Sequence, residues 1–211
     1  IEAPQNDERA RAVIAETKRL VPKKPIRYVV STHHHFDHAG GLRAFVALGA
    51  MIVTEASNIV YYSNAFKTPA TVEPDTLANT KDAPLARLES VDGKYVITDG
   101  IENLDILPLK GDTHSNELLI AYLPREEILV EADAYTPQDP KAQPSPPPAS
   151  AVNLYENIRR LKLNVATIAP IHGRGAVKMG EFLHFIGAGE AQRPQKKLLR
   201  NRKRSTKPKR Q

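Results

Sequence analysis

Residues 26–38 read IRYVVSTHHHFDH, and this stretch decides how the rest of the chain is interpreted. Its first seven residues are mostly apolar or β-branched and give way abruptly to polar residues, which predicts a buried β-strand. His33 and His35 are two residues apart, so in an extended backbone their side chains point to the same face. Asp37 and His38 follow at a bend, where they can turn toward a second point. Imidazole nitrogens and a carboxylate are suitable ligands for Zn²⁺ and related divalent ions.

A His-rich surface loop or the remnant of an expression tag is the alternative to a metal site. A tag would not be interrupted by Phe and Asp, and it would not directly follow a buried strand. If the donors face two points, further ligands are needed from elsewhere in the chain. Three polar donors, His114, Asp133 and His172, each follow an apolar run at its carboxyl end, where ligands cluster in α/β proteins. One such histidine is more often a surface residue, but three together with the histidine-rich stretch favour a metal site.

With these residues the chain resembles the metallo-β-lactamase-fold hydrolases. The match consists of the HxHxDH motif and three later ligands in family order, within about residues 26–175. The resemblance implies an α/β protein, a four-layer αβ/βα sandwich, with a dinuclear metal site along one edge of its two sheets. The matching residues are His33, His35, Asp37, His38, His114, Asp133 and His172.

The same resemblance implies a role for each matching residue. His33, His35 and His114 would hold one metal ion; Asp37, His38 and His172 would hold the other; and Asp133 would bridge the two. The implied cofactors are two Zn²⁺ ions, with Fe or Mn as alternatives. Two metal ions about 3.5–4 Å apart can share a bridging hydroxide and polarise a scissile bond. A chain without cysteine could therefore still be a hydrolase, and Asp37 would act as the catalytic carboxylate that orients the hydroxide.

Other polar residues near the motif are weaker candidates. His34 lies between two ligands and is expected to face away from them as a packing or supporting residue. His184 has no partner motif and is expected to be structural or exposed. Tyr135, Asn116 and Arg174 are close to ligands in sequence and are candidates for contact with a substrate.

The residue at the bridging position bears on the substrate. Zinc β-lactamases of this family carry Cys or Ser there, whereas this chain has Asp133, like the glyoxalase-II-like thioesterases, lactonases and phosphodiesterase-like relatives. The sequence therefore predicts a dinuclear zinc-dependent hydrolase that cleaves a small ester, thioester, lactone or β-lactam-type bond, with β-lactams as poor substrates. The expected partner is a small-molecule substrate.

The remaining segments are assigned from hydrophobic periodicity and turn residues. Residues 26–32 and 51–54 flank a helix and indicate a βαβ unit, whereas the strands over 85–91, 95–98 and 104–108 are predicted to form an antiparallel meander. Residues 68–84 are expected to be irregular, and six prolines make 137–148 a stiff loop expected to help wall the pocket. Further strands are predicted over 118–123, 128–130 and 165–170, and helices over 6–20, 41–48, 57–66, 152–161 and 178–186.

Family members usually have several strands ahead of the HxHxDH motif. Here 32 residues precede His33, and only one helix and one strand are predicted among them. The sandwich is therefore expected to lack N-terminal strands: either the domain is truncated, or a partner or a compact variant of the fold supplies that sheet edge. Truncation would expose an edge of the first sheet.

The formal net charge of +6 is concentrated at one end of the chain. Residues 190–211 hold ten Lys/Arg and one acid, a net +9, which leaves −3 for residues 1–189. We therefore predict a hydrolase domain over 1–189 and a basic, disordered tail over 190–211. The tail favours an alternative function: a metal-binding module of low activity that binds nucleic acid or another polyanion.

The sequence leaves the compartment and the oligomeric state open. No apolar run approaches the roughly 20 residues of a membrane span, and the start shows no signal-peptide pattern. Because the chain contains no cysteine, it suits reducing and oxidising compartments equally.

Overall fold

The computed structural model describes residues 1–139 and 146–188, which form two β-sheets packed face to face with helices on both outer sides. This is the predicted four-layer αβ/βα arrangement. The first sheet contains three parallel strands in the order β1-β2-β3. Its elements, in chain order, are α1 (Asp7–Leu20), β1 (Tyr28–Val30), α2 (Phe36–Ala39), α3 (Leu42–Ala47), β2 (Met51–Glu55), a 3₁₀ turn (Ala56–Asn58), α4 (Ile59–Lys67), α5 (Thr76–Asn79) and β3 (Arg87–Val91).

The second sheet contains six strands in sequential order from β4 to β9. Neighbouring strands are antiparallel except β7 and β8, which are parallel because helix α6 connects them. Its elements are β4 (Tyr95–Thr98), β5 (Asn103–Pro108), β6 (Leu119–Leu123), β7 (Ile128–Glu131), α6 (Ala149–Arg160), β8 (Thr167–Pro170), β9 (Val177–Lys178) and α7 (Met179–Phe185).

Three apolar clusters follow the four layers. Between the sheets, Val30 and Val53 from the first sheet pack with Ile106 and Leu119 from the second. A second cluster lies between the first sheet and helices α1, α3 and α4, and a third between the second sheet and helices α6 and α7. Strands β2 and β6 are buried almost throughout and read as nearly continuous apolar segments, whereas residues of β4 alternate between half-buried and exposed.

The prediction that residues 85–91 begin an antiparallel meander is wrong. Strand β3 pairs in parallel with β2 in the first sheet, and the antiparallel meander begins with β4. The turn residues Asp92 and Gly93 indicate only where the chain bends, and they do not specify which sheet the preceding strand joins. Here the turn carries the chain from one sheet to the other.

Several element boundaries also differ from the prediction. Residues 68–84 contain the short helix α5, which Asp75 caps by accepting a hydrogen bond from the Ala78 amide at 2.9 Å. Strand β9 precedes α7 at the position where a helix start was predicted, and Asp37 and His38 lie within the additional helix α2. Asn6 caps α1, because its side chain accepts a hydrogen bond from the Arg9 amide. These differences concern elements of two to four residues, which are too short to show a period.

Helix α1 packs closely on the segment that follows the motif. A Cβ atom placed on Gly41 would lie 2.4 Å from the Ala10 Cβ atom and 2.8 Å from the Asn6 carbonyl oxygen. The Gly41 amide donates to the Ala3 carbonyl, and the Ala3 amide donates to the His38 carbonyl. The glycine is therefore needed for the close approach that fixes α1 and the first residues of the chain beside the motif.

Two predictions concern segments that the structure does not describe in full. The predicted disorder of residues 190–211 lies outside the described residues, as does the 140–145 part of the proline-rich loop. Ahead of β1, the described residues contain one helix and no strand, in agreement with the prediction. None of the helices within 1–139 and 146–188 has the length and apolar character that a bilayer crossing requires.

Candidate metal centre

The seven residues singled out by the motif analysis meet at one edge of the sandwich, although they span 140 positions of sequence from first to last, 33 to 172. They lie in the segments that follow four strands, β1, β5, β7 and β8, and Asp37 and His38 belong to helix α2 within the first of these segments. The Leu119 amide donates to the Thr32 carbonyl at 2.9 Å, which joins the two sheets directly beside the cluster. The strand ends therefore bring the donors together, as expected for this architecture.

The donors form two groups, and within each group the candidate ligand atoms lie within 4.8 Å of one another. The first group combines His33 and His35 with His114 and Asp133. The second combines Asp37, His38 and His172. The division matches the two ligand sets that the family resemblance implies.

Asp133 is the point at which the two groups meet. Its Oδ2 atom lies 3.2 Å from His33 Nε2, 2.9 Å from His114 Nε2 and 3.1 Å from His38 Nε2. Its Oδ1 atom lies 3.1 Å from His172 Nε2. One carboxylate thus faces imidazoles of both groups, which is the arrangement that a bridging ligand requires.

Two of the histidines are held through their second ring nitrogen. Both rings are fully buried. His38 Nδ1 donates to Glu2 Oε2 at 2.9 Å, and His33 Nδ1 lies 3.0 Å from Thr32 Oγ1. When Nδ1 donates its hydrogen, Nε2 carries a lone pair toward the centre of the cluster, which is the tautomer that binds metal.

Glu2 was not identified from the sequence, and it is the main functional candidate that sequence reasoning missed. Its side chain is almost fully buried, and its Oε1 atom accepts from the Thr32 amide at 3.1 Å while Oε2 accepts from His38. It lies 36 positions before His38 in the sequence, so no local spacing links the two residues.

The charges within the cluster shift several pKa values. Burial raises the pKa of Asp133, but hydrogen bonds from His33 and His38 outweigh it and hold the pKa well below its usual range. Burial lowers the pKa of His38, but the carboxylates of Asp133 and Glu2 outweigh it and raise the pKa to about 10. The pKa of His35 is lowered by burial and by the neighbouring His33 and His114 rings.

Two further buried carboxyl groups stand two positions ahead of candidate ligands. Asp112 Oδ1 accepts from the His114 amide at 2.8 Å, and Glu131 Oε2 accepts from the amides of Ala134 and Tyr135. Burial raises the pKa of Glu131 to about 8, and the hydrogen bonds to its carboxylate only partly oppose that effect. Among the described residues, neither Asp112 Oδ2 nor Glu131 Oε1 has a hydrogen-bond partner.

Both weaker histidine candidates lie outside the two groups. The His34 side chain is 44% exposed, and its Nδ1 atom lies 3.6 Å from Glu117 Oε2. His184 is exposed on α7. Both positions agree with the expectation from sequence.

The three candidates for substrate contact differ in their surroundings. Tyr135 is buried against Phe182 and Phe185, with ring centroids 4.8 and 5.0 Å apart, so it belongs to the core. Arg174 donates to the Gln138 carbonyl and pairs with Glu181, which ties the segment after His172 to the segment after Asp133. Asn116 is exposed.

The donor set suits divalent cations. The Nε2 atoms of His33 and His114 are 3.3 Å apart, and those of His38 and His172 are 3.1 Å apart. Two imidazole lone pairs at such a distance repel unless a proton or a cation is shared between them. Nitrogen and carboxylate donors of this kind are common zinc ligands, and both groups could hold a metal ion.

The comparison with protein families identifies the class. The family model described as the metallo-beta-lactamase superfamily matches residues 3–172. The chain therefore belongs to the metallo-β-lactamase superfamily, which consists largely of metal-dependent hydrolases that typically bind zinc. A comparison with curated proteins gives no match.

Solved structures support the fold. A metallo-β-lactamase from Pontibacter korlensis is 18% identical with a TM-score of 0.63, and the match covers 89% of this chain and 80% of that one. A metallo-β-lactamase from Hirschia baltica is 17% identical with a TM-score of 0.56, covering 92% and 80%. The metallo-β-lactamase FIM-1 from Pseudomonas aeruginosa, solved in a mono-zinc form, is 19% identical with a TM-score of 0.58, covering 89% and 76%. At these identities the likeness establishes the fold alone.

Proposed function

We propose that the protein is a dinuclear zinc-dependent hydrolase that cleaves a small ester, thioester, lactone or β-lactam-type bond. The observation that carries the proposal is the position of Asp133, whose two carboxylate oxygens face imidazoles of both donor groups. A residue at the junction of two groups is suited to bridge two ions. The single-zinc alternative would leave Asp37, His38 and His172 without a function as a group.

Each donor group supplies one ion site under this proposal. The ligands of the first ion are His33, His35 and His114, those of the second are Asp37, His38 and His172, and Asp133 is shared. When bound, a pair of zinc ions lowers the pKa of a water molecule held between them and polarises the bond to be cleaved. Fe or Mn would fit the same nitrogen and oxygen donors.

Asp37 is proposed as the catalytic carboxylate. One of its oxygens, Oδ2, lies 3.3 Å from His38 Nε2 and 3.4 Å from His172 Nε2, and its side chain is one-third exposed. The carboxylate therefore reaches both the second donor group and the solvent-facing side. From that position it can accept a hydrogen bond from the attacking water molecule and orient it toward a substrate.

An exposed apolar side chain lies beside the centre. Phe36 stands between His35 and Asp37 in the chain and is 73% exposed. This ring favours a substrate with an apolar group next to the bond that is cleaved.

Metal analysis combined with a substrate panel tests the proposal. The purified protein should contain about two zinc ions per chain, and chelation should abolish hydrolysis that added Zn²⁺ restores. The panel should include a lactone, a thioester, an aryl ester, a β-lactam and a phosphodiester. Because Asp133 occupies the bridging position, we expect hydrolysis of the ester-type substrates to exceed that of the β-lactam.

Substitutions separate this activity from a contaminant. The double variant D37A/H114A removes one proposed ligand from each group and should lose more than about 100-fold in rate, since even the hydrogen-bond partners of ligands are worth 10–100-fold. His184→Ala is the matched control because His184 is exposed on α7 and lies outside both groups. A double variant that hydrolyses the panel as fast as wild type refutes the proposal.

The basic tail supports a second candidate function. Ten Lys/Arg in residues 190–211 would bind nucleic acid or another polyanion electrostatically, with an affinity that falls as salt rises. Removing the residues after Gly189 should abolish such binding while leaving ester hydrolysis intact. Loss of hydrolysis on this deletion would instead assign the tail to the hydrolase.

A further inference from the structure

Glu131 is a buried acidic residue at the end of an apolar strand. It is the last residue of β7, it is fully buried, and it stands two positions ahead of Asp133. Its Oε2 atom accepts two hydrogen bonds, from the Ala134 amide at 3.0 Å and from the Tyr135 amide at 3.1 Å. The side chain therefore holds the backbone of the two residues that follow Asp133. We refer to these two hydrogen bonds as the Glu131 clasp.

The backbone that the clasp encloses has an uncommon conformation. Asp133 has a φ of +62°, in the left-handed region that residues other than glycine seldom adopt. The Ala134 amide also lies 2.8 Å from the Ala132 carbonyl, so the chain turns tightly around Asp133. The next residue, Tyr135, is anchored by its packing on Phe182. The conformation of Asp133 is thus fixed on both sides, and the clasp supplies the polar part of that restraint.

The direction of the Asp133 side chain depends on this turn. Its two carboxylate oxygens lie 2.9–3.2 Å from four imidazole nitrogens, so a small rotation of the backbone would move it away from one donor group. The backbone carbonyl of Glu131 also accepts from the Ile171 amide at 2.9 Å, next to His172. Glu131 is therefore connected both to the proposed bridging ligand and to a ligand of the second group.

Packing alone does not explain an acid at this position. Burying a carboxyl group costs free energy that an aliphatic side chain of similar size would not require. The surrounding strand is apolar, and β7 lies between β6 and β8 in the interior of the sheet. A side-chain oxygen is needed where two amide hydrogens converge on one acceptor, and this is the environment that the Oε2 atom meets.

We propose that Glu131 is a positioning residue that holds Asp133 in the left-handed conformation required to face both metal ions. The inference rests on the proposed function, because it assigns Glu131 its role through the bridging ligand. Glu131 is not a member of either donor group. Its loss should therefore weaken metal binding without removing any ligand.

Two substitutions of nearly equal size separate the clasp from the charge and the volume of the side chain. Glu131→Gln keeps an oxygen that can accept from both amides, whereas Glu131→Met fills the same space and accepts nothing. Both variants remove the carboxylate. We expect Gln to bind zinc about as tightly as wild type, and Met to bind at least one ion about 10–100-fold more weakly, as for other residues that orient metal ligands.

Hydrogen exchange in the metal-free protein gives a readout that needs neither metal nor activity. The amides of Ala134 and Tyr135 should be protected in wild type and in Glu131→Gln, and they should exchange faster in Glu131→Met. In Co²⁺-substituted protein, the visible spectrum of Glu131→Met should differ from that of wild type, because the ligand geometry changes. Circular dichroism and thermal unfolding identify a Met variant that does not fold.

The possible outcomes test the positioning role of Glu131 separately from the proposed hydrolase function. If Met binds two ions with wild-type affinity and spectrum, the positioning role is refuted while the hydrolase proposal stands. If folded Glu131→Gln loses ten-fold or more in affinity, the acceptor role is refuted, and this test holds even when the Met variant does not fold. If wild type binds no divalent ion, the proposed function and the positioning of a bridging ligand both fail, whereas the exchange rates still report on the clasp itself.

Discussion

The hydrogen bond between Glu2 and His38 gives the most direct test of how the second donor group is organised. Glu2 accepts from the Thr32 amide through one carboxylate oxygen and from His38 Nδ1 through the other. Glutamine at position 2 has the same size but only one oxygen. Its amino group must face one of the two donors, so one of these hydrogen bonds is lost.

Each orientation of that glutamine has a defined consequence. If the amino group faces His38, it can be accommodated only when Nδ1 accepts a hydrogen bond, which places the ring proton on Nε2, where a metal ion would bind. If it faces Thr32, two donors oppose each other in a buried site. We expect the orientation toward His38 to weaken the ion site formed by Asp37, His38 and His172. The orientation toward Thr32 should disturb the loop that carries His33.

The magnitude follows from the geometry of the bond. It is 2.9 Å long, and the side chains of His38 and Glu2 are 0% and 4% exposed, so solvent cannot replace it. Hydrogen bonds to charged groups contribute about 1.5–3 kcal/mol. At about 1.4 kcal/mol for each factor of ten, Glu2→Gln with its amino group toward His38 should weaken binding of the second ion by roughly 10- to 100-fold and leave the first ion, held by His33, His35 and His114, little changed.

Competition titration with a chromophoric zinc chelator measures the two affinities separately. Glu16→Gln is the matched control, because Glu16 lies on the exposed face of α1 and pairs only with Arg19 among the described residues. Thermal unfolding of the metal-free proteins checks that the variant is folded. A folded Glu2→Gln protein that binds both ions with wild-type affinity would show that the reasoning about His38 is wrong.

The remaining predictions concern the scaffold around the centre. Arg43 donates to three carbonyls at the end of α4 and pairs with Asp75, so Arg43→Met should lower the free energy of unfolding by about 2–3 kcal/mol in urea titrations. Arg9→Met, at an exposed position of α1, should cost under about 0.5 kcal/mol. Burial raises the pKa of Asp75, but its hydrogen bond with Arg43 and others outweigh this and lower it; the stabilisation is therefore complete above the ordinary carboxyl pKa and is lost as the pH falls below about 4. An Arg43→Met protein should show less of this acid dependence. Tyr62 contributes a buried hydroxyl that hydrogen-bonds with Ser31 at 3.0 Å, so Tyr62→Phe should lower the free energy of unfolding by about 1 kcal/mol in the same titrations.

The positions of the candidate ligands could be predicted from sequence because each one carries a local signal. His33, His35, Asp37 and His38 lie within six residues, and the later donors each follow an apolar run. The residue at which a strand ends can be recognised from the local sequence. The pairing of the strands then determines which of these ends lie at the same edge. The structure brings these donors into the two groups that the resemblance implies, and their binding of metal stays a prediction.

The supporting residues could not be predicted, because their partners are distant in sequence. Glu2 meets His38 only after α1 has packed on Gly41 and placed the first residues of the chain beside the motif. Glu131 did carry a signal that was overlooked, since an acid in the run ILVEADAY interrupts an otherwise apolar strand. A buried acid in such a position requires a hydrogen-bonding partner, and the amides that follow Asp133 are the nearest donors.

The partner of β3 was mispredicted for a related reason. Turn residues and apolar runs specify where a strand begins and ends, but the choice between two sheets depends on which surfaces remain to be buried once both have formed. Val91 fills the space between the sheets opposite residues of β5 and β6, which no local pattern could indicate. The sequence therefore predicts which residues form strands better than it predicts which strands pair with each other.

The buried acids also bear on why the centre suits cations. Glu2, Asp112 and Glu131 are buried close to the donor groups without being candidate ligands, and Asp37 and Asp133 are themselves members of those groups. Burying so many acids near one another is unfavourable unless positive charge is present at the centre. The raised pKa of His38, about 10, shows that the surroundings already favour a positive charge at that ring. A pair of divalent ions would supply that charge, so the acids that orient the ligands also contribute to the affinity of the centre for metal.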